Sequence, residues 1–140
     1  MTAMAMVQIG PPESAITEED QDIPMRDGFM STIKVHKPSS PPSSGSPLIV
    51  LLFGGGFISG GRDMMTPFAR AMVRLFGAVV VNISYRLAPK HKFPKSQEDS
   101  WDSVKWLTEH ASELGADPTL GFVVGGVSAC LLYTSPSPRD

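Results

Sequence analysis

Cysteine is nearly absent from this 140-residue sequence, in which Cys130 is the single thiol. One cysteine excludes an internal disulfide framework and any metal site built from several thiolates. Long apolar runs are also missing, because none approaches the ~18 residues that span a bilayer, so we predict no transmembrane segment. The first twelve residues lack a basic start followed by an apolar core, so no secretory signal is predicted and we expect a cytoplasmic protein.

Neither sign of charge predominates in the sequence. Twelve Lys and Arg residues oppose fourteen Asp and Glu residues, for a net charge of −2, and no basic stripe stands out. Nucleic acids and anionic membranes are therefore not expected as partners. The 41% share of hydrophobic residues is typical of a globular protein, and the length suits one domain at most.

The amino-terminal part of the chain predicts a hairpin preceded by a polar segment. Residues 1–22 are polar and acidic, and we interpret them as a flexible or cap-like arm. Two strands, residues 23–26 and 29–35, flank Asp27-Gly28, a dipeptide that suits a tight two-residue turn. Ile33 and Val35 fall on the face predicted to be buried, together with Phe29.

Three later apolar runs predict strands buried on both faces. They cover Leu48–Phe53, Ala78–Val81 and Leu120–Val124. A helical pattern separates each run from the next. This alternation is typical of a parallel sheet with flanking helices, in which ligands bind at the carboxyl ends of the strands.

Spacing also predicts where the two helices begin and end and which faces they bury. The first helix is predicted to end at Gly77 and the second at Gly115, with Ser96 and Asp99 as a capping pair at the start of the second. The predicted buried face of the first helix is Met65, Phe68, Met72, Leu75 and Phe76. That of the second helix is Trp101, Val104, Leu107, Ala111 and Leu114.

Two of the predicted strand ends carry motifs with chemical meaning. Gly54-Gly55-Gly56 follows the first apolar run, and consecutive glycines let backbone N–H groups approach an oxyanion closely. Gly126-Val127-Ser128-Ala129 follows the third run. A Gly-x-Ser sequence between a buried strand and a helix is typical of a nucleophile elbow, which exposes the serine hydroxyl.

With these motifs in place, the chain resembles the hormone-sensitive-lipase-like esterases, the α/β hydrolase fold-3 group. The resemblance covers about residues 23–129. It rests on the glycine triplet, on Tyr85-Arg86-Leu87-Ala88-Pro89 with Phe93-Pro94 after it, on Asp99 and Trp106, and on the elbow. It implies the N-terminal half of an α/β-hydrolase fold, with parallel strands, flanking helices and the hairpin.

The resemblance also implies a function and a set of site residues. The function is a serine carboxylesterase that forms an acyl-enzyme on small-molecule acyl esters, with Ser128 as the nucleophile. The N–H groups of Gly55, Gly56 and Ala129 would form the oxyanion hole. No metal or organic cofactor is implied. Arg86 and Asp99 are expected to form a structural ion pair or hydrogen-bond network.

The sequence departs from the family pattern in two places. Phe53 stands where the family usually has the His that precedes the glycines, and a Phe ring cannot hydrogen-bond to the backbone. Residues 130–140 contain two prolines and do not continue the elbow helix. They resemble a translated sequencing adapter, and we predict that they are not native sequence.

A catalytic base is missing from the sequence as it stands. In this fold the order is Ser, then the acid, then His, but no His follows Ser128. His36, His91 and His110 precede it, and each is interpreted as a solvated surface histidine. We therefore expect the parent protein to be an esterase and these 140 residues to be an inactive fragment. The alternative is a non-catalytic binding protein on the same fold, similar to the gibberellin receptors. The oligomeric state is left open.

Overall fold

The computed structural model describes residues 14–53, 61–87, 90–91 and 94–126. Within these ranges lies a five-stranded mixed sheet with two helices. The strands are β1 (Ile16–Pro24), β2 (Met30–Pro38), β3 (Leu48–Leu52), β4 (Val79–Asn82) and β5 (Phe122–Gly126). The helices are α1 (Thr66–Phe76) and α2 (Lys95–Glu109), and short 3-10 helices cover Arg62–Met65, Ala111–Leu114 and Pro118–Leu120.

The strands lie in the order β1-β2-β4-β3-β5. β1 pairs with β2 and β2 with β4 in antiparallel fashion, whereas β3 is parallel to both β4 and β5. The predicted combination of a hairpin and parallel strands is confirmed. Because the crossovers β3-α1-β4 and β4-α2-β5 run in opposite directions along the sheet, right-handed connections place the helices on opposite faces.

The hairpin is longer and its turn wider than predicted. Strand β1 begins at Ile16, so the boundary that we expected at residue 22 falls inside a strand. The acidic sequence of β1 does not look like a strand, because its polar side chains pair with side chains of β2. Glu19 of β1, for example, lies 3.2 Å from Lys37 of β2. Five residues connect the strands, and the turn requires a positive φ of 87° at Gly28.

The sheet interior largely follows the apolar runs. All five residues of β3 and all four of β4 are buried, as predicted. Strand β5 differs, because Phe122 and Val123 point to opposite faces and are 40% and 56% exposed. Its predicted burial on both faces is wrong for the described residues, in which β5 is an outer strand with β3 as its one neighbour.

Helix α1 buries a face that only partly matches the predicted one: Met65 just before it is buried and Met72 packs against the core, as predicted. Its buried residues are Thr66, Ala69 and Val73, while Phe68 and Leu75 are 56% and 74% exposed. The narrow stripe of small residues lets the helix approach a sheet surface that is already filled by large side chains. The helix ends as predicted at Gly77, which adopts the left-handed conformation at φ 61°.

Helix α2 follows its predicted face in its second half. Leu107, Ala111 and Leu114 are buried there or in the 3-10 turn that follows, which Gly115 ends. In the first half the prediction is wrong, because Trp101 is 57% exposed and the buried residues are polar. They are Ser96, Asp99, Ser100 and Ser103.

Candidate active site

The candidate site lies at the edge where the three parallel strands end. Leu51 of β3 is paired with Asn82 of β4, and Leu52 is paired with Gly126 of β5. The carboxyl ends of β3, β4 and β5 therefore lie side by side. In open sheets of this kind, ligands bind at the carboxyl ends of the strands.

The four predicted site residues lie outside the described residues, which stop at Phe53 before Gly55 and Gly56, and at Gly126 before Ser128 and Ala129. The structure fixes the points from which both segments depart. The pairing of Leu52 with Gly126 puts those points on neighbouring strands, whose spacing is about 4.8 Å.

Gly126 is held very close to β3. A methyl group at its Cα would lie 3.1 Å from the carbonyl oxygen of Leu52 and 3.2 Å from its Cβ. At Gly125 the same methyl group would meet Leu51 at an ordinary 3.6 Å. Gly126, and not Gly125, is therefore the glycine that permits the close approach of the two strand ends.

Phe53 is buried at the end of β3 and stacks on Tyr85. The ring centroids are 4.2 Å apart and the planes differ by 3°. The Tyr85 hydroxyl donates a hydrogen bond of 2.6 Å to the Phe53 carbonyl oxygen. Phe53, the residue that departs from the family pattern, thus has a packed aromatic side chain. Its backbone carbonyl has a polar partner, Tyr85, in the loop after β4.

Arg86 and Asp99 form the predicted ion pair. The Arg86 backbone N–H and Nε both donate to Asp99 Oδ2 at 2.9 Å, and Nη2 donates to Oδ1 at 2.8 Å. Ser96 Oγ donates to the Arg86 carbonyl at 2.7 Å. The predicted capping role of Ser96 and Asp99 is therefore wrong: Pro94 precedes the helix, and both side chains bind Arg86 instead.

Arg86 also reaches the hairpin turn. Its guanidinium contacts Asp27 at 2.9 Å and lies over the Phe29 ring, 4.1 Å from the centroid. Hydrogen bonds from Arg86 and Lys95 hold the pKa of Asp27 well below its usual value of 3.8. The same aspartate raises the pKa of Lys95. These contacts join the turn, the loop after β4 and the start of α2, which supports a structural role for Arg86.

His36 is buried, so its interpretation as a surface histidine is wrong. Its ring is fully covered, and Nδ1 lies 3.0 Å from Glu18 Oε2 in β1. Helix α1 covers this face and contributes Arg70, whose Nε donates to the same Glu18 oxygen at 2.6 Å. Burial lowers the pKa of His36 from 6.5, although Glu18 acts in the opposite direction.

Glu18 stays ionised in this buried cluster. Burial by itself would raise its pKa, but the Arg70 hydrogen bond and the neighbouring His36 bring it below the usual value of 4.5. Because the pKa of His36 is lowered, the ring is neutral near pH 7, and Nδ1–H donates to the carboxylate. The His36 Nε2 atom is left without a hydrogen-bond partner in the described part of the chain.

The other two histidines are partly exposed. His110 stacks on Trp106 at 4.1 Å, its Nδ1 lies 2.8 Å from the Trp106 carbonyl oxygen, and its side chain is 36% exposed. His91, in the loop after β4, has intermediate exposure. Among the described residues, no group of His, Cys, Asp or Glu could hold a metal ion, and no helix is long and apolar enough to cross a membrane.

Comparison with known proteins agrees with this architecture. Residues 49–129 match a family model described as alpha/beta hydrolase fold, which is more than half of the chain. The chain belongs to this family. Its relatives place it in the α/β hydrolase fold-3 esterase group, as the glycine triplet and the Tyr85-Arg86 segment predicted.

Two curated esterases illustrate the similarity within the α/β hydrolase family. Carboxylesterase NlhH of Mycobacterium tuberculosis is 44% identical over 79 residues, which are 56% of this chain and 25% of NlhH. Ethyl acetate hydrolase of Pseudomonas putida is 30% identical over 118 residues, which are 81% of this chain and 37% of that protein. The chain thus spans less than half the length of these relatives.

Solved esterase structures superpose on the chain. A bacterial heroin esterase aligns with a TM-score of 0.82 at 30% identity, covering 91% of this chain and 40% of its own. An esterase of Pyrobaculum calidifontis aligns with a TM-score of 0.80 at 32% identity, covering 94% and 41%. The chain therefore has the architecture of part of an α/β-hydrolase fold.

The sequence did not predict one contact of this site or the burial of His36. The hydrogen bond from Tyr85 to Phe53 joins residues far apart in the chain, and no local pattern marks it. The burial of His36 was equally hidden, because it breaks the alternation of β2. Val35 and His36 are adjacent and both fully buried, as expected of a strand covered on both faces.

Proposed function

We propose that this chain carries the nucleophile and the oxyanion hole of a carboxylic-ester hydrolase. In this proposal Ser128 attacks the ester carbonyl, and the N–H groups of Gly55, Gly56 and Ala129 bind the oxyanion. The substrates are small-molecule acyl esters. The names of the relatives, carboxylesterase and ethyl acetate hydrolase among them, support this class of reaction.

One observation carries the proposal. The strand that leads into the glycine triplet and the strand that leads into Ser128 are hydrogen-bonded neighbours, and they end in register at Leu52 and Gly126. Ser128 follows Gly126 by two residues, and Gly55 follows Leu52 by three. A nucleophile and the amides that stabilise its oxyanion must lie within a few ångströms of the same carbonyl, and this register supports that arrangement.

The reaction proceeds through an acyl-serine. The Ser128 oxygen forms a bond to the acyl carbon while a base takes its proton, and the carbonyl electrons move onto the oxygen held by the backbone amides. Collapse of this intermediate expels the alcohol, and water then hydrolyses the acyl-serine. Because no histidine follows Ser128 in the sequence, we propose that residues 1–140 alone do not turn over esters.

The experiment is ester hydrolysis by the protein as its gene encodes it. We expect hydrolysis of p-nitrophenyl acetate and butyrate, and a loss of about 10³-fold or more in kcat for Ser128→Ala. Ser112→Ala, at an exposed position in the 3-10 turn after α2, is the matched control and keeps full activity. An active-site phosphonate is expected to label Ser128 in the unaltered protein.

Two results would contradict this proposal. Full turnover by Ser128→Ala would remove the serine mechanism. Saturable ester binding without any turnover would instead favour the alternative of a non-catalytic binding protein. Residues 1–140 expressed alone serve as a separate sample, and hydrolysis by that monomeric polypeptide would refute its proposed inactivity.

A further inference from the structure

Tyr85 joins the loop after β4 to the end of β3 by two contacts with Phe53. The hydroxyl donates to the Phe53 carbonyl oxygen at 2.6 Å, and the two rings stack at 4.2 Å. Both side chains are buried, at 5% and 2% exposure, so water does not compete for the hydrogen bond. The Phe53 carbonyl is therefore held in one orientation from the side of β4.

This carbonyl immediately precedes the glycine triplet in the chain. Because a peptide unit is planar, the Phe53 carbonyl sets the plane of the peptide bond by which the chain continues toward the triplet. Oxyanion donors must lie about 2.7–3.1 Å from the developing charge, and a misplacement of about 1 Å costs on the order of 100-fold in rate. The orientation at Phe53 therefore matters for Gly55 and Gly56, two and three residues later.

The segment that carries the phenol is itself fixed on both sides of Tyr85. Ser84 Oγ donates to the Thr32 carbonyl of β2 at 2.6 Å. The Arg86 backbone N–H donates to Asp99 of α2 at 2.9 Å. The residues before and after Tyr85 are thus bound to two different elements, so the phenol position is set by the sheet and the helix together.

We propose that Tyr85 is a positioning residue for the oxyanion hole. Its hydrogen bond to the Phe53 carbonyl, supported by the stacked rings, sets the orientation with which the chain enters Gly54. The phenol supplies a polar contact that the Phe53 side chain cannot make. This inference rests on the proposed esterase function, because the backbone amides of the triplet have this role only in that reaction.

The test is Tyr85→Phe in the protein as its gene encodes it. This variant keeps the stacked ring and loses the hydroxyl. We expect kcat for p-nitrophenyl acetate to fall about tenfold while KM stays within about twofold, because misaligned amides weaken binding of the tetrahedral intermediate more than binding of the ester. Ser100→Ala is the matched control, since it removes another buried hydroxyl that donates to a backbone carbonyl, that of Ser96 at 2.9 Å.

Ser100→Ala is expected to lower Tm and leave kcat unchanged. An unchanged kcat in Tyr85→Phe, or the same loss of kcat in both variants, would overturn the positioning role. Hydrogen exchange at residues 53–57 gives a readout that does not need turnover. Exchange there is expected to be faster in Tyr85→Phe and unaltered in Ser100→Ala, and equal exchange in all three proteins would also overturn the role. If the unaltered protein hydrolyses no ester, the proposed function fails, while exchange still reports whether Tyr85 holds this segment.

Discussion

Two aspartates of helix α2 bind arginines in the same way but differ in burial. Comparing them measures what burial adds to the strength of an ion pair. Asp99 accepts hydrogen bonds from the backbone N–H, Nε and Nη2 of Arg86 at 2.8–2.9 Å. Asp102 accepts from the same three groups of Arg26 at 2.9–3.0 Å. The side chains of the first pair are 1% and 11% exposed, and those of the second are 14% and 49% exposed.

We predict that Asp99→Ala lowers the free energy of unfolding by about 3 kcal/mol. Truncating one partner of a buried pair costs about 3–5 kcal/mol, because the remaining charge is left desolvated. The lower end applies here because Arg86 keeps its contact with Asp27 at 2.9 Å. Asp102→Ala should cost about 1 kcal/mol, since the half-exposed Arg26 regains water and the lost contacts are largely screened.

Urea unfolding of the two alanine variants and the unaltered protein measures this difference. The midpoint should shift far more for Asp99→Ala than for Asp102→Ala, with similar m-values. Asp99→Asn keeps the shape and one acceptor oxygen, so it should fall between the unaltered protein and Asp99→Ala. Equal losses in the two alanine variants, within about 0.5 kcal/mol, would refute the argument that burial separates the pairs.

Two further predictions concern His36 and the end of β5. Burial lowers the pKa of His36 below its unfolded value of 6.5, so the stability that the neutral ring contributes is present above pH 6.5 and is lost as the pH falls through the lowered pKa. Thermal unfolding from pH 8 to 5 should show this loss of stability, and His36→Gln should make the loss smaller. Gly126→Ala should cost about 1–3 kcal/mol in urea unfolding because its methyl group would lie 3.1 Å from the Leu52 oxygen, while Gly125→Ala should be nearly neutral. Equal costs for the two alanines, or a pH profile unaltered by His36→Gln, would contradict these expectations.

The sequence predicts those features of the fold that depend on local pattern. The apolar runs locate β3 and β4 to within a residue, and Gly77 and Gly115 mark where helical structure ends. The face of α1 is only partly predicted because size, not hydrophobicity, decides which side of the helix fits the sheet. Ala69 contacts the core where Phe68 was expected to do so.

The candidate site is predictable as a pair of motifs but not as a set of contacts. The glycine triplet and Gly126-Val127-Ser128 are visible in the sequence, and the parallel pattern predicts that they meet at one edge of the sheet. The register of Leu52 with Gly126 and the bond from Tyr85 to Phe53 depend on tertiary packing. No spacing rule encodes such contacts between residues distant in the chain.

The position of β3 in the sheet has a consequence for synthesis on the ribosome. β3 contains no polar residue, and it lies between β4 and β5, both of which come later in the chain. When Leu48–Leu52 leaves the exit tunnel, neither of its hydrogen-bonding neighbours has yet emerged. The most apolar strand of the sheet must therefore wait longest for its partners, and it is the segment that nascent-chain chaperones have most reason to cover.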